Sequence, residues 1–488
     1  LVVDLLMLFA VPLAGIGAYL AARRLVAGVA ARVWMAAMYA LLPVVSGAVT
    51  TGHLGTVVAI IVLPWVARSA LALLDARPGR HWRAAWATGL GLSVAAAFAP
   101  VLWPLAVVMT LVGLVTRSIR ARVVQVAVAL VVPVLLLAPW SLRIFAHPHL
   151  LLTEAGAVDA AGASLAHAWL LPLGRLSAPG DAPWWLTVGV LVGALVALLR
   201  RDRRAPVAAA WVVAAVALAA AAVMSQRLLE VPGTDVQAPA WLGVPVVVAQ
   251  AAAIVAVGLA ADGVARFIGS GSFGWRQPLG AATAVVALLA PVAGLLWWVV
   301  SAPQGELGRA DAVPLPAYMI DAMSDGQQRV LVVDTQGQVM TYRVFAGDGF
   351  RLGDESVRPR QSARDVTGLV TDMLAEGHPQ DVRQLNDQAI GYVVLTSPAK
   401  PRAITELDSL PGLTRASSSG AVFSGWKVNA HGHKVTDPPS GADGPLDSHR
   451  PWWLALEALC WLVTIVLAAP GIRNWRAELE TDESEGQT

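Results

Sequence analysis

The sequence predicts a polytopic α-helical membrane protein with about eleven transmembrane helices and a small extracytoplasmic α/β domain. Three observations lead there: the composition, the spacing of the apolar runs, and one long polar segment near the carboxyl end. Of the 488 residues, 56% are hydrophobic and only 14% are charged, whereas soluble domains carry about 25% charged residues. A soluble chain of this composition could not cover its surface with polar groups, so we exclude a single soluble enzyme. A single cysteine, Cys460, excludes a disulfide scaffold, and a net charge of +2 predicts no nucleic-acid partner.

Eleven apolar runs have roughly the length that a helix needs to cross a bilayer, which is about 20 residues. Pro100 and Pro104 separate two of the shorter runs, which we read as two passes. The predicted spans are 3–22, 33–49, 54–74, 84–99, 101–116, 123–140, 185–199, 205–224, 241–262, 278–300 and 452–469.

The distribution of arginine predicts the topology, because cationic residues near helix ends are retained in the cytoplasm. If the chain crosses at every run, the connections between the first ten spans on the other face hold only Arg143, Arg175 and Arg227. The cytoplasmic connections then hold Arg23, Arg24, Arg32, Arg68, Arg77, Arg80, Arg83, Arg117, Arg120, Arg122, Arg200, Arg201, Arg203, Arg204, Arg266 and Arg276. We therefore expect the first residue of this chain outside and its last residue in the cytoplasm. The excess of arginine over lysine, with abundant Ala, Val and Gly, is typical of GC-rich bacterial coding, so we expect a bacterial plasma membrane.

The predicted domains follow from these spans. Residues 1–300 form a transmembrane domain of ten spans with an outer loop at 141–184, and residues 301–450 form an extracytoplasmic domain. Residues 451–470 form the final transmembrane helix, and 471–488 form an acidic cytoplasmic tail. The chain begins without Met and runs directly into apolar sequence. An outside start then predicts that an upstream part, with at least one further span, is missing.

Segment 301–450 shows an α/β pattern. Short β-branched runs at 329–334, 341–345, 392–395 and 421–428 predict strands. Apolar residues at helical spacing predict helices over 361–376 and 403–410. The expected core residues are Val330, Val332, Val393 and Leu395.

Ionisable residues beside the spans are the candidate site residues, because charge near lipid is costly and is usually retained for function. They lie at the predicted outer ends of spans or in the first long outer loop: Asp4, His53, Arg143, His147, Glu154 and Asp159. Each is also explained as an interfacial residue that faces water. Of the His-x-His pairs, 147–149 follows a span and 431–433 lies in a polar linker, and neither completes a metal ligand set. We predict no certain cofactor and leave a divalent metal open.

Four sequence features occur in an order that resembles membrane glycosyltransferases of the GT-C superfamily. They are Tyr-Leu-Ala-Ala-Arg-Arg-Leu at 19–25, Tyr-Ala-Leu-Leu-Pro at 39–43, a Gly-rich span ending at Ala99-Pro100, and Pro-Trp at 139–140. The outer α/β domain fits the same arrangement. The chain is most similar to the membrane module of bacterial proteins in which a family 2 glycosyltransferase domain is fused to such a module.

The resemblance implies an inverting transfer of sugar from a polyprenyl-phosphate-linked donor to a cell-envelope glycan acceptor, at the outer face of the membrane. It implies a catalytic carboxylate in the first outer loop, which we expect upstream of Leu1, so Asp4, Glu154 and Asp159 are weak candidates for the base. It also implies a cationic group for the leaving phosphate, for which Arg143, with His53 or His147, is suited. Two alternatives stay open: a non-catalytic scaffold for envelope glycan assembly, and a transporter or flippase of lipid-linked glycans.

Overall fold

A computed structural model describes most of the chain. The described residues are 2–74, 81–156, 165–176, 183–230, 237–262, 289–300, 315–324, 328–335, 340–346, 360–396, 399–419, 423–429 and 450–469. Asp159, the pair His431 and His433, and the predicted tail at 471–488 lie outside these residues.

The first 300 residues form a helical body. Its helices are α1 (Val2–Ala22), α2 (Val29–Ala40), α3 (Pro43–Thr51), α4 (Leu54–Leu74), α5 (His81–Phe98), α6 (Leu102–Gly113), α7 (Arg117–Arg120), α8 (Val123–Leu136), α9 (Trp140–Ala146), α10 (Trp185–Ala197), α11 (Arg204–Met224), α12 (Gly243–Ala261) and α13 (Leu289–Val300). Two short 3₁₀ helices, Pro148–Leu152 and Ala168–Leu173, lie between α9 and α10, and a two-stranded hairpin, β1 (Leu228–Glu230) and β2 (Gln237–Pro239), joins α11 to α12.

Among the described residues, six helical segments are long and apolar enough to cross a membrane, so the chain is a multi-pass membrane protein. They are Val2–Ala22, Val29–Thr51, Leu54–Leu74, Arg201–Met224, Gly243–Ala261 and Pro451–Ala468. The pair α8 and α9 makes a seventh if it counts as one span, although its two helices are bent by 100°.

The structure does not confirm the predicted count of eleven complete spans. Three of the predicted runs form shorter apolar helices, α6, α10 and α13, and only 289–300 of the run at 278–300 is described. A 12-residue helix such as α6 is about 18 Å long, which is less than the roughly 30 Å of a hydrocarbon core. Apolar composition marks a segment as buried in lipid or protein, but it does not reveal where the helix ends.

The centre of the body is α12, which packs against α11, α10, α2, α3 and α4. Small side chains at the contacts, such as Ala14, Ala194, Ala217 and Ala221, are fully buried. Small residues allow helix backbones to approach closely, and close packing is what holds helices together in lipid.

The carboxyl end of α12 is fastened to the arginine-rich connections. The buried carboxylate of Asp262 accepts hydrogen bonds from the backbone N–H groups of Gly28 (3.1 Å) and Ala27 (3.4 Å), at the start of α2. Arg203 lies 3.5 Å from the same carboxylate, and Arg200 donates to the Asp262 carbonyl at 2.8 Å. An acidic group at a helix amino terminus also interacts favourably with the helix dipole. This end of the body therefore gathers arginines that the sequence assigns to the cytoplasm.

The carboxyl-terminal part contains a five-stranded mixed sheet with the order β4-β3-β5-β7-β6, in which only β3 and β5 run parallel. The strands are β3 (Arg329–Asp334), β4 (Thr341–Ala346), β5 (Ile390–Thr396), β6 (Leu413–Ser419) and β7 (Phe423–Val428). The helices are α14 (Ala317–Ser324), α15 (Arg360–Glu376), α16 (Pro379–Asp387) and α17 (Pro401–Ser409), followed by the membrane helix α18 (Arg450–Ala468).

Helices cover both faces of this sheet. Met319 and Met323 of α14 pack on one face, while α15, α16 and α17 cover the other. The four predicted core residues are all buried, and the predicted strands coincide with β3, β4, β5 and β7. The prediction missed β6, because its Thr-Arg-Ala-Ser-Ser-Ser sequence lacks apolar alternation, and it missed the short helices α14 and α16.

Candidate functional site

A continuous segment that follows α9 crosses the end of the helical body opposite Asp262. We call residues 147–156 the strap. The backbone N–H of Ala155 donates to the carbonyl of Phe98 at the end of α5 (2.9 Å), and the N–H of Gly55 in α4 donates to the carbonyl of Ala155 (2.7 Å). Two backbone hydrogen bonds therefore pin the strap between two helix ends.

Gly156 ends the described part of the strap and has a φ of +125°, a conformation that side chains rarely adopt. A Cβ atom at this position would lie 2.4 Å from the carbonyl oxygen of Gly52 and 2.6 Å from the backbone nitrogen of Leu54. Only glycine allows the strap to approach the turn between α3 and α4 this closely.

Four side chains meet beneath the strap. The Nδ1 atom of His53 lies 2.7 Å from Oε1 of Glu154, and the two side chains are only 6% and 11% exposed. Thr56 donates from Oγ1 to the other carboxylate oxygen at 2.8 Å. The indole Nε1 of Trp241 donates to the Thr56 hydroxyl at 2.9 Å, and its ring stacks on His53 with the centroids 3.5 Å apart. We call these four residues the His53 cluster.

One carboxylate oxygen of Glu154 accepts the hydrogen bond from Thr56, and the other lies in a close ion-pair contact with His53 that lacks hydrogen-bond geometry. Buried charges persist in proteins when they are paired and hydrogen-bonded in this way. The stacking on Trp241 and the contact with Glu154 together fix the orientation of the His53 ring. The cluster can therefore hold the strap in place and orient the imidazole of His53.

The structure brings two of the predicted site residues, His53 and Glu154, into direct contact. Arg143 lies partly buried on α9, and His147 is exposed at the start of the strap with its ring 5.9 Å from that of His149. Asp4 is exposed in the first turn of α1, and Met7, one turn further, belongs to an apolar group that includes Trp241. Asp159 lies outside the described residues.

An apolar cleft lies at the same end of the body, beside α9, the helix that carries Arg143. The cleft is lined by residues from α5, α6, α8, α9 and the strap: Ala96, Pro100, Trp103, Pro133, Val134, Leu137, Trp140, Ser141, Ile144, Phe145 and Leu151. No three His, Cys, Asp or Glu side chains in the described part of the chain are grouped to bind a metal ion.

Sequence reasoning did not assign a role to Thr56 or Trp241. Thr56 lies in the short turn sequence around His53, and its hydroxyl gave no signal of its own. The position of Trp241 at a predicted helix end is typical of a tryptophan at the membrane interface, where such residues are common, so Trp241 gave no signal of a site. Thr56 could have been chosen because it lies three residues from His53 in the sequence. Trp241 could not, because it lies 185 positions from Thr56, its hydrogen-bond partner.

No protein-family model matches the chain, and no curated protein matches it. Among solved structures, the cryo-EM structure of the arabinofuranosyltransferase AftD from mycobacteria is similar, with a TM-score of 0.53 at 15% sequence identity. The match covers 88% of this chain and 34% of that one. A mutant of the same enzyme gives a TM-score of 0.50 at 16% identity, covering 88% and 35% of the two chains.

Identity at this level shows a common fold alone, and the chain spans about a third of the length of the structures that it matches. The predicted resemblance to membrane glycosyltransferases is confirmed at the level of the fold: this chain is folded like part of an arabinofuranosyltransferase.

Proposed function

We propose that this chain is the membrane portion of a glycosyltransferase, which moves a sugar from a polyprenyl-phosphate donor to a cell-envelope glycan at the outer face. The observation that carries the proposal is the buried His53–Glu154 pair, placed under a pinned strap at one end of a glycosyltransferase-like fold. Burying an ionisable pair is costly, and near a membrane such pairs are usually retained for function.

The reaction needs a base for the acceptor hydroxyl and a cation for the leaving phosphate. Glu154 accepts a hydrogen bond from Thr56 and contacts His53, so we assign it a positioning role through His53 and the strap. Asp4 is exposed at the same end of the body, and it is the candidate base among the described carboxylates. Arg143 and His147 lie at the far end of the strap segment, where a lipid phosphate can reach them from the membrane.

The proposed arrangement keeps eleven passes, with the shorter helices α6, α10 and α13 crossing as parts of the packed body. Residues 1–300 and 451–470 then lie in the membrane, 301–450 outside it, and 471–488 in the cytoplasm. The contacts of Asp262 support this, because they gather Arg200 and Arg203 at the end opposite the strap.

Cysteine labelling tests the orientation. In a Cys460→Ser background, a reagent that does not cross the membrane should label His147→Cys in intact cells. It should leave Arg201→Cys unlabelled until the membrane is opened. Labelling of Arg201→Cys from outside would reverse the proposed orientation.

Reconstitution tests the activity. The protein in lipid vesicles is supplied with polyprenyl-phosphate arabinofuranose and an arabinan oligosaccharide, the first substrates to try given the likeness to an arabinofuranosyltransferase. We expect the acceptor to grow by one pentose while free polyprenyl phosphate is released. Movement of the donor between leaflets without acceptor growth would favour a transporter. If neither acceptor growth nor donor movement is observed, the result favours a scaffold.

Arg143→Gln should weaken binding of the donor by roughly tenfold to a hundredfold, because it removes a charge-assisted phosphate contact. Arg227→Gln is the matched control, since Arg227 is an exposed arginine on another connection at the same end. Binding is measured by titration of the purified protein with labelled donor. Unchanged affinity in a folded Arg143→Gln protein would show that Arg143 only anchors α9 at the membrane surface.

A further inference from the structure

A second set of buried polar atoms lies in the helical body, away from the His53 cluster. Gln250 of α12 is only 4% exposed, and neither Nε2 nor Oε1 of its amide has a hydrogen-bond partner among the described residues. The Nε atom of Arg175 is also buried and lacks a partner in the same part of the chain. Buried polar groups are nearly always satisfied in proteins, so such groups point to a ligand or an ordered water.

The backbone directly before Arg175 lies against Gln250. Gly174 has a φ of +75°, and a Cβ atom there would lie 2.5 Å from Nε2 of Gln250 and 3.2 Å from the side chain of Val44. The backbone at Gly174 therefore passes directly against the amide, and Arg175 is the next residue. No acidic side chain among the described residues pairs with Arg175.

The start of α10, which carries two tryptophans, lies next to this segment. Thr187 donates from Oγ1 to the carbonyl of Leu173 at 2.7 Å, and Thr187 follows Trp184 and Trp185 at the start of α10. Tryptophans of this kind mark the headgroup level of a bilayer. Gln250 lies seven residues along α12 from Gly243, or about 10 Å, so it is well separated from the His53 cluster.

A guanidinium and a primary amide together define the chemistry of the occupant. Guanidinium N–H groups form strong hydrogen bonds with anionic acceptors, and their fork fits phosphate. The amide can add a second donor through Nε2. We infer that Arg175 and Gln250 form a phosphate-binding site for the headgroup of a membrane lipid, distinct from the proposed donor contact at Arg143.

Lipid titration of the full chain in maltoside micelles, which contain no phosphate, tests this site. The probes are phosphatidylglycerol, polyprenyl monophosphate, inorganic phosphate and uncharged polyprenol. We expect phosphatidylglycerol or polyprenyl monophosphate to bind. Arg175→Gln should weaken that binding about tenfold to a hundredfold, while Arg227→Gln should not change it. Because phosphatidylglycerol carries no sugar, the result is independent of glycosyl transfer.

Gln250→Leu is a second variant, which tests whether a loss of lipid binding could be due to misfolding. It removes two unsatisfied polar atoms at nearly constant volume, so without lipid the unfolding midpoint should stay unchanged or rise. The rise in midpoint that the lipid phosphate produces in the unaltered protein should be lost. Binding of inorganic phosphate alone would contradict the lipid source. Binding that is absent, or equal in all variants, would overturn the site and leave a buried water as its occupant.

Discussion

Glu154→Ala should lower the rate of sugar transfer by at least about a hundredfold and destabilise the protein by about 3 kcal/mol. The stability loss follows because the change breaks a buried pair and leaves His53 without its partner, which typically costs about 3–5 kcal/mol. The rate loss follows because the strap, which leads back to Arg143, loses its side-chain anchor. Errors of about 1 Å in a reacting geometry can cost about a hundredfold in rate.

Thermal unfolding and transfer assays measure the two effects separately. Asp202→Ala is the control, because the Asp202 side chain is 60% exposed in its pair with Arg200, and exposed pairs contribute only about 0–1 kcal/mol. A double-mutant cycle between His53→Gln and Glu154→Gln should show a coupling of more than about 1 kcal/mol. Additive effects in that cycle would mean that the 2.7 Å contact is energetically irrelevant.

Gly156→Ala should destabilise the protein by about 2–3 kcal/mol and also reduce transfer. Alanine is strained at a positive φ, and its Cβ would meet two backbone atoms, the Gly52 oxygen and the Leu54 nitrogen, which cannot rotate away. The strap must therefore lift from α4, and Glu154 must move with it.

Gly47→Ala is the matched control for this substitution. Gly47 lies in α3, and a Cβ atom there would have no neighbour within 4 Å. Alanine in a helix interior is favoured over glycine by about 1 kcal/mol, so the control should be neutral or stabilising. Both midpoints come from thermal unfolding in the same detergent. Equal stability of the two variants would show that the strap is loosely attached.

The local parts of the fold were predictable, and the distant contacts were not. A run of Val and Leu predicts β3, and the helical spacing of apolar residues predicts α15, because both signals lie within a short stretch of sequence. The His53 cluster joins Thr56 to Glu154 and to Trp241, which lie 98 and 185 residues away. A single sequence contains no local signal for such pairing.

The break within the second predicted span shows a different limit of prediction from sequence. The predicted span 33–49 corresponds to one segment long enough to cross, Val29–Thr51, although this segment is interrupted at Leu41 and Leu42, with Pro43 beginning its second helix. Proline is well placed at the first position of a helix but cannot continue one. Hydropathy averages over this interruption, so it predicts the span but not the break within it.

The helix α12 is held at both of its ends. It begins two residues after Trp241, which contacts the His53 cluster, and Asp262 fastens its other end to α2, Arg200 and Arg203. A 19-residue helix is about 28 Å long, so a tilt of about 10° around its middle would shift each end by about 2.4 Å. That shift exceeds the tolerance of a hydrogen bond. We therefore expect α12 to stay fixed during the reaction. Access for a sugar or a lipid should then come from movement of the connections around α12, and not from tilting of the helices.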